Sequence, residues 1–256
     1  MFDKYLPLAK PAIHLRWVST SKFTKVGGMP CLPPELEWPE VDGKALPFLL
    51  QVDLGEVHAV LPSFLPSLGA LYFFFDDKRY GGGYLRDRKW WCVMYHAADP
   101  KGLEESPRFA ILDEEQVYEP RSLVASRIES LPSHYRFPED FEAEGELHAY
   151  TELSLRPFGD SIAHHQMLGH AGSLQEGHPE ADCEAQSRGI ERFDRRDPAA
   201  ASILEASREW QLLCQIDTDE EAGWMWGDVG TIFFWIRESD AKCKAFEKTW
   251  MTFECL

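Results

Sequence analysis

One strand pattern occurs twice in this 256-residue chain, and this repetition constrains the fold more than any other feature. Residues 49–53 read LLQVD and residues 213–217 read LCQID, so the triplet Gln-(Val/Ile)-Asp recurs at an offset of 164. Residues 69–74 (GALYFF) match residues 230–235 (GTIFFW) at an offset of 161. A third match, at an offset of 159, aligns Lys89, Trp91 and Met94 with Lys248, Trp250 and Phe253. Three matched segments in the same order predict an internal duplication.

Both copies are predicted to form β-strands, because their apolar runs are short and rich in aromatic and β-branched residues. The predicted strands are 13–18, 47–54, 69–75, 90–96, 212–217, 230–236 and 249–255. Either copy alone would leave an apolar face or a sheet edge exposed. We therefore expect the copies to pair about a pseudo-two-fold axis in a single body.

The middle of the chain, from about residue 120 to 210, is predicted to be helical. Amphipathic patterns rich in Glu and poor in β-branched residues predict helices over 125–135, 139–153 and 199–210, and shorter helices over 3–9 and 239–246, with a loop over 159–189. The predicted fold class is therefore α+β. A mainly antiparallel β sheet is built from two duplicated strand units, about 25–97 and 211–256, and the middle helices pack on it.

The charge balance limits the classes of partner. Lys and Arg number 26 against 43 Asp and Glu, a net charge of −17 that repels phosphate backbones and anionic lipid surfaces. We therefore expect neither nucleic acid nor membrane as a partner. The same charge either steers a basic protein towards the chain or serves solubility alone. No apolar run reaches about 18 residues and the N-terminus does not resemble a signal peptide, so we expect a soluble cytoplasmic protein. The six cysteines form no C-x-x-C pair, so neither a disulfide framework nor a zinc ribbon is indicated and we expect free thiols. We assign no cofactor from the sequence.

Several longer motifs resemble one bacterial family. They are residues 27–39 (GGMPCLPPELEWP), 47–54 (PFLLQVDL), 69–77 (GALYFFFDD), 168–172 (LGHAG) with the following Leu174 and Gln175, and 210–240 (WQLLCQIDTDEEAGWMWGDVGTIFFWIRESD). From about residue 25 to its end, the chain resembles the YwqG-like proteins, a domain of unknown function (DUF1963). The resemblance implies a mainly β, internally duplicated fold and carries no established reaction, cofactor or catalytic residue. Some relatives occur near toxin and immunity systems, which implies an interaction role.

Polar residues at the end of each repeated strand are the first candidate site. These are Gln51 and Asp53 in the first copy, and Gln215, Asp217 and Asp219, then Asp228, in the second. If the pseudo-two-fold axis brought Asp53 near Asp217, the two carboxylates would suit a general base or a metal ligand. The alternative is structural: each Asp caps the following turn and each Gln satisfies a sheet edge.

The segment 224–228 (WMWGD) is the sharpest short motif. Trp224 and Trp226 could form the walls of an apolar pocket with Asp228 as its polar anchor, which is the usual composition of a small-ligand site. Alternatively, the loop packs its aromatic side chains over the sheet, and Gly227 provides a turn with positive φ.

Histidines are concentrated between residues 164 and 178. His164, His165, His170 and His178, with Asp182 and Cys183 nearby, could hold a transition metal. Their spacing matches no closed zinc site, and adjacent histidines on an extended segment point in opposite directions. We therefore assign no metal ligand.

The sequence is consistent with two functions. The acidic charge, the aromatic loops and the lack of a nucleophile motif favour a non-enzymatic binding protein, for example an immunity-type factor that masks a basic toxin surface. The alternative is a small-ligand binder or hydrolase that uses the 224–228 loop with Asp53 and Asp217. No catalytic residue is assigned, and the oligomeric state is left open.

Overall fold

The computed structural model describes residues 4–80, 85–107, 117–141, 144–191, 193–194, 196, 198 and 200–255. The strands in these ranges are β1 (Lys10–Val18), β2 (Lys25–Val26), β3 (Glu40–Val41), β4 (Lys44–Ala45), β5 (Phe48–Asp53), β6 (Ala70–Phe75), β7 (Trp91–His96), β8 (Arg121–Ser130), β9 (Gln166–Met167), β10 (Trp210–Asp217), β11 (Thr231–Arg237) and β12 (Trp250–Glu254). Strands β3 and β4 form a separate ribbon. The other ten form one sheet in the order β12-β11-β10-β9-β1-β8-β2-β5-β6-β7.

The helices are shorter and lie between the strands. Among the described residues the α-helices are α1 (Leu54–Val60), α2 (Glu144–Leu155), α3 (Pro179–Ser187), α4 (Ala200–Ala206) and α5 (Glu238–Lys242). Short 3-10 helices occur at Leu6–Leu8, Leu85–Trp90, His134–Arg136, Pro138–Asp140, Arg156–Phe158, Ser207–Glu209, Glu220–Ala222 and Phe246–Lys248. None of the helices in the described ranges is long and apolar enough to cross a membrane.

Every pairing in the large sheet is antiparallel, and the central pair is β1 with β8. On one side of this pair the strands follow the order β2, β5, β6, β7, and on the other side β9, β10, β11, β12. The register slips once between β5 and β6, at Phe48/Leu50, and once between β10 and β11, at Leu212/Cys214. The two flanks of the sheet therefore have the same strand arrangement. In each flank the register slips between the second and third strands, at corresponding residues.

The sheet is barrel-like, because its two flanks curl towards each other around one apolar core. Phe73 of β6 and Phe234 of β11 meet with ring centroids 5.0 Å apart. At the edges, Trp91 of β7 and Trp250 of β12 lie 5.7 Å apart, and the indole Nε1 of Trp91 donates a hydrogen bond to the Thr249 carbonyl at 3.3 Å. This closure buries β5, β6 and most of β11 completely.

The predicted fold class is confirmed at the level of a mixed α/β protein with a large antiparallel sheet. The predicted strands agree with β1, β5, β6, β7, β10, β11 and β12 to within three residues at each end. Helix α2 agrees with the helix predicted over 139–153, of which residues 142–143 lie outside the described ranges. Helix α3 does pack on the sheet: its Glu184 carboxylate accepts hydrogen bonds from Trp210 Nε1 at 2.8 Å and Arg237 Nη2 at 2.6 Å.

The helix predicted over 125–135 is wrong, since residues up to Ser130 belong to strand β8. This strand pairs with β1 over its whole length, from Ser130 opposite Lys10 to Ser122 opposite Val18. The backbone hydrogen bonds and the burial of Leu123 outweigh a weak helical preference. The middle segment is therefore not wholly helical.

Three further local predictions need correction. The predicted 159–189 loop contains β9 and α3, and the strand predicted over 47–54 is followed at once by helix α1. The predicted N-terminal helix is reduced to one 3-10 turn at Leu6–Leu8, while residues 1–3 lie outside the described ranges.

Candidate functional site

The two repeated glutamines occupy matching places in the sheet. Gln51 of β5 lies opposite Lys25 of β2, and Gln215 of β10 lies opposite Gln166 of β9. Both side chains are buried. Each amide oxygen accepts from, and each Nε2 donates to, the backbone of a neighbouring segment. Gln215 also lines a cavity together with Asp217.

The structure does not bring Asp53 beside Asp217. Strands β5 and β10 are separated by five antiparallel pairings and run in opposite directions, so their C-terminal ends lie at opposite ends of the sheet. Trp226, which donates through Nε1 to the Asp217 carbonyl at 3.2 Å, contacts Phe75, next to the start of β5 and not its end. Asp217 lines two cavities, and Asp53 lines neither of them.

Asp53 is the N-cap of helix α1. Its Oδ1 accepts hydrogen bonds from the backbone N–H groups of Gly55 at 2.8 Å and Glu56 at 3.3 Å. The capping aspartate satisfies donors that the first helical turn leaves open. This contact explains why β5 passes directly into a helix.

Asp217 has a different environment at the end of β10. Its Oδ1 accepts from the Thr231 hydroxyl at 2.5 Å, and its Oδ2 accepts from the His164 backbone N–H at 3.1 Å. The His164 ring is also close, with Nδ1 3.7 Å from Oδ2. Burial lowers the pKa of His164 and the negative charge of Asp217 opposes this shift.

A buried histidine connects Asp217 to the next carboxylate. Nδ1 of His165 accepts from the Asp217 backbone N–H at 3.2 Å, so the ring proton is on Nε2. Nε2 in turn lies 3.4 Å from Oδ2 of Asp219, which also accepts through Oδ1 from the Ala222 N–H at 3.1 Å. His165 thereby fixes the start of the loop that follows β10.

The aromatic side chains of the 224–228 loop point into the protein. Trp224 and Trp226 are each 2% exposed, and their rings lie 5.4 Å apart. Tyr118 contacts both rings edge-on, at 5.3 and 5.8 Å. Gly227 has φ +57°, whereas Asp228 is exposed to solvent. The loop therefore packs its tryptophans over the core, which is the second of the two arrangements considered from the sequence.

An acidic cleft opens beside this loop, with a volume of about 600 Å³. Five carboxylate side chains line it: Asp160, Asp217, Asp219, Glu220 and Glu221. Arg16 of β1 lines it too, and it is the one Lys or Arg among the described residues of the lining. We call this feature the acidic cleft. It is negatively charged and wide enough for an extended cationic side chain.

Two exposed apolar side chains belong to the acidic cleft. Ile162 is 84% exposed and Val229 is 46% exposed, and both line it. Val229 also has φ +48°, a left-handed conformation that is rare for a β-branched residue. Strain of this kind is retained in folds mainly where it serves a function.

His14 lines the acidic cleft from strand β1 and is almost completely buried. Its Nε2 has no hydrogen-bond partner among the described residues. Burial, together with the nearby His164, His165 and Arg16, lowers the pKa of His14 to about 4. The ring is therefore neutral at physiological pH.

A smaller cavity of about 310 Å³ lies on the other side of Asp217. Its polar lining includes His134, His164, His170, Ser173 and Asp217, and we call it the histidine cavity. Burial lowers the pKa of all three histidines. Within the described ranges, no three His, Cys, Asp or Glu side chains are grouped as a metal site would require.

The predicted histidine cluster is dispersed over separate partners. His164 faces Asp217 and His165 faces Asp219, so the adjacent rings point to different places as expected. His170 donates through Nε2 to the Leu8 carbonyl at 2.8 Å, and Nδ1 of His178 lies 3.4 Å from Arg136 Nη1.

The sequence interpretation missed most of the acidic cleft. Asp160, Ile162 and His14 come from segments far from β10, and nothing in their local pattern marks them. One signal was present: residues 217–221 read DTDEE, with four carboxylates in five positions.

Fold and cleft together define a mixed α/β protein with a barrel-like antiparallel sheet and an acidic surface cleft at one sheet end. The chain belongs to the family described as Domain of unknown function (DUF1963), which matches residues 24–255. A search of curated proteins finds no match to the chain.

Proposed function

We propose that this chain is a non-enzymatic binding protein for a basic polypeptide, which docks in the acidic cleft. The observation that carries the proposal is the set of five carboxylates around one cleft of about 600 Å³. Complementary charge guides association and selects the partner more than it adds affinity. A protein of net charge −17 favours cationic partners over its whole surface.

The carboxylates of the acidic cleft differ in availability. Asp217 is held by Thr231, and Asp219 by Ala222 and His165. Glu221 forms an ion pair with Arg121 at 3.2 Å. Asp160 and Glu220 are exposed, so these two are the carboxylates that a partner's Arg or Lys would meet first.

The exposed apolar residues of the acidic cleft restrict the class of partner further. Ile162 and Val229 would remain exposed in the free protein and be covered in a complex. Interfaces combine apolar anchors with polar groups at their margins. We therefore expect a partner segment in which basic residues alternate with aliphatic ones.

An immunity-type role in the cytoplasm, with the acidic cleft masking a basic toxin surface, is one form of this function. We also propose that the two flanks of the sheet are copies of one unit. The matching bulges at Phe48/Leu50 and Leu212/Cys214 support this. So do the matching left-handed residues after β2 and β9, where Gly27 has φ +63° and Leu168 has φ +62°.

The test is a titration with a synthetic peptide of alternating arginine and leucine. The double variant D160N/E220Q should weaken binding roughly 10-fold, because two rim charges are lost. The control is E205Q/E238Q, which removes two exposed carboxylates from α4 and α5 and should change Kd less than about two-fold. Equal losses in both variants would show that only net charge matters and would contradict a defined cleft.

The histidine cavity supports a second candidate, binding of a small polar molecule. The Ser173 hydroxyl lines this cavity, is buried, and has no hydrogen-bond partner among the described residues. A buried hydroxyl without a partner is costly, which favours a ligand that supplies one. Soaking crystals with a mixture of polyols and amides tests this: density beside Ser173 supports it, and uniform absence of density opposes it.

A further inference from the structure

A second cleft has the opposite charge. Its volume is about 580 Å³, and it is lined by Lys22, Lys25, Lys101 and Arg121, with Glu105 as the one carboxylate among its described lining residues. We call it the basic cleft. Four cationic side chains around one cavity stand out in a chain with 17 more acidic than basic residues.

Lys25 is the buried member of the basic cleft. Its side chain is 7% exposed, and its ammonium forms an ion pair with the Glu105 carboxylate, whose side chain is 60% exposed. A buried ammonium requires a nearby anion, since the loss of hydration is otherwise uncompensated. Glu105 provides that anion from a loop, where the adjacent Ser106 N–H donates to the Pro30 carbonyl at 2.8 Å.

The fold itself does not need a charge at this position. Gln166 of β9 lies opposite Gln215, as Lys25 of β2 lies opposite Gln51. The Gln166 amide donates internally, to the carbonyls of Leu168 at 2.6 Å and His170 at 2.9 Å. An uncharged side chain therefore suffices at the corresponding position of the sheet. The fold does not explain why residue 25 carries a positive charge.

We propose that the basic cleft binds a small molecule bearing a carboxylate, and that Glu105 occupies the position of this carboxylate in the free protein. The chemical class follows from the group that the structure places on Lys25, which is itself a carboxylate. The ligand displaces the exposed Glu105 side chain from Lys25 and fills the open part of the cleft beside it. Arg121 of this site also pairs with Glu221 of the acidic cleft. The two clefts share none of their described lining residues, and the site does not depend on the function proposed for the acidic cleft.

Glutarate is the probe, because it reproduces the length and the carboxylate of a glutamate side chain. The variant E105Q removes the internal competitor, so its Kd for glutarate should be at least about 10-fold lower than that of the wild type. E105Q should also melt at a lower temperature without ligand and recover on addition of glutarate, since the ammonium regains a partner. E205Q, which neutralises an exposed glutamate of α4, is the control and should behave as the wild type.

K25Q keeps the test valid if E105Q folds poorly. It places at position 25 the residue that already occupies the equivalent place at Gln166, and it should fold and show no response to glutarate. The proposal is overturned if E105Q gains no affinity over the wild type, or if K25Q binds glutarate as well as the wild type does. It is also overturned if sodium chloride or phosphate at matched ionic strength stabilises E105Q as much as glutarate does.

Discussion

Gln51 and Gln215 make the same two hydrogen bonds in different strands. The amide oxygen of Gln51 accepts from the Cys31 N–H at 2.7 Å, and its Nε2 donates to the Phe23 carbonyl at 2.8 Å. Gln215 accepts from the Gly172 N–H at 2.9 Å and donates to the His164 carbonyl at 2.9 Å. In both cases the acceptor carbonyl precedes the paired residue of β2 or β9 by two positions, and the donor N–H follows it by six. Each glutamine thus joins a short inner strand to the loop that leaves it.

We expect Q51L and Q215L to destabilise the protein by similar amounts. Each substitution removes both hydrogen bonds of a buried glutamine, which costs about 1 to 3 kcal/mol in total. Urea unfolding at pH 7 measures this change. Q211L is the control in the same strand β10. The Gln211 side chain makes one hydrogen bond within the described ranges, to the Arg208 carbonyl at 3.3 Å near the surface. A loss confined to one of the two buried glutamines would contradict equivalent roles.

Replacing Val229 by glycine should stabilise the protein by about 1 kcal/mol, because glycine adopts a positive φ without strain. D42G is the matched control. Asp42 has a similar φ of +53°, but aspartate tolerates this region, so the change should be close to zero. Thermal unfolding compares the two variants. V229G should also weaken binding of the arginine–leucine peptide, since it removes an apolar contact; unchanged binding would exclude Val229 from the interface.

We expect the substitution D182N on helix α3 to increase the free energy of unfolding by an amount that depends on pH. Burial, with the nearby charges of Glu180 and Glu254, raises the pKa of Asp182 to about 6. The unfolded carboxyl has a pKa of 3.8, so the folded state binds the proton more tightly, and Asp182 destabilises the fold increasingly as pH rises from 3.8 to 6. D182N should therefore add about 1 to 2 kcal/mol at pH 7.5, allowing for partial exposure, and little at pH 4. A gain that does not depend on pH would contradict this origin.

For His14 we expect the opposite effect of pH on the free energy of unfolding. Its pKa is about 4 in the folded protein and 6.5 in the unfolded chain, so below pH 6.5 the unfolded state takes up a proton that the folded state refuses. The free energy of unfolding should fall by about 2 to 3 kcal/mol between pH 7 and pH 4 from this group. In H14L this contribution should disappear, and unfolding measured along a pH series should show a shallower slope. The same slope in H14L and the wild type would exclude His14 as its source.

The outer strands of the sheet could be predicted from the sequence because the composition of each short run is enough to indicate a strand. The runs that became β6 and β11 are apolar and aromatic throughout, which fits strands buried on both faces. Strand β8 was misread because its strand character comes from pairing with β1, which lies more than 100 residues earlier. Local preference is weaker than such tertiary pairing.

The site was harder to predict than the fold. The recurrence of Asp53 and Asp217 suggested one shared cavity, but antiparallel pairing across an odd number of steps separates the two strand ends. The recurring sequence pattern therefore marks corresponding places in the strand order and not neighbouring ones. The acidic cleft includes Asp160 and Ile162, which come close to β10 only in the folded protein. It also includes Val229, which has a positive φ.

Backbone amide NMR during titration with the arginine–leucine peptide tests the proposed function most directly. If the peptide docks in the acidic cleft, the largest shift changes should fall on Ile162, Glu220 and Val229 at low salt, and they should diminish at high salt as the charges are screened. Shift changes scattered over the acidic surface, or centred on a region away from these three residues, would contradict the acidic cleft as the docking site.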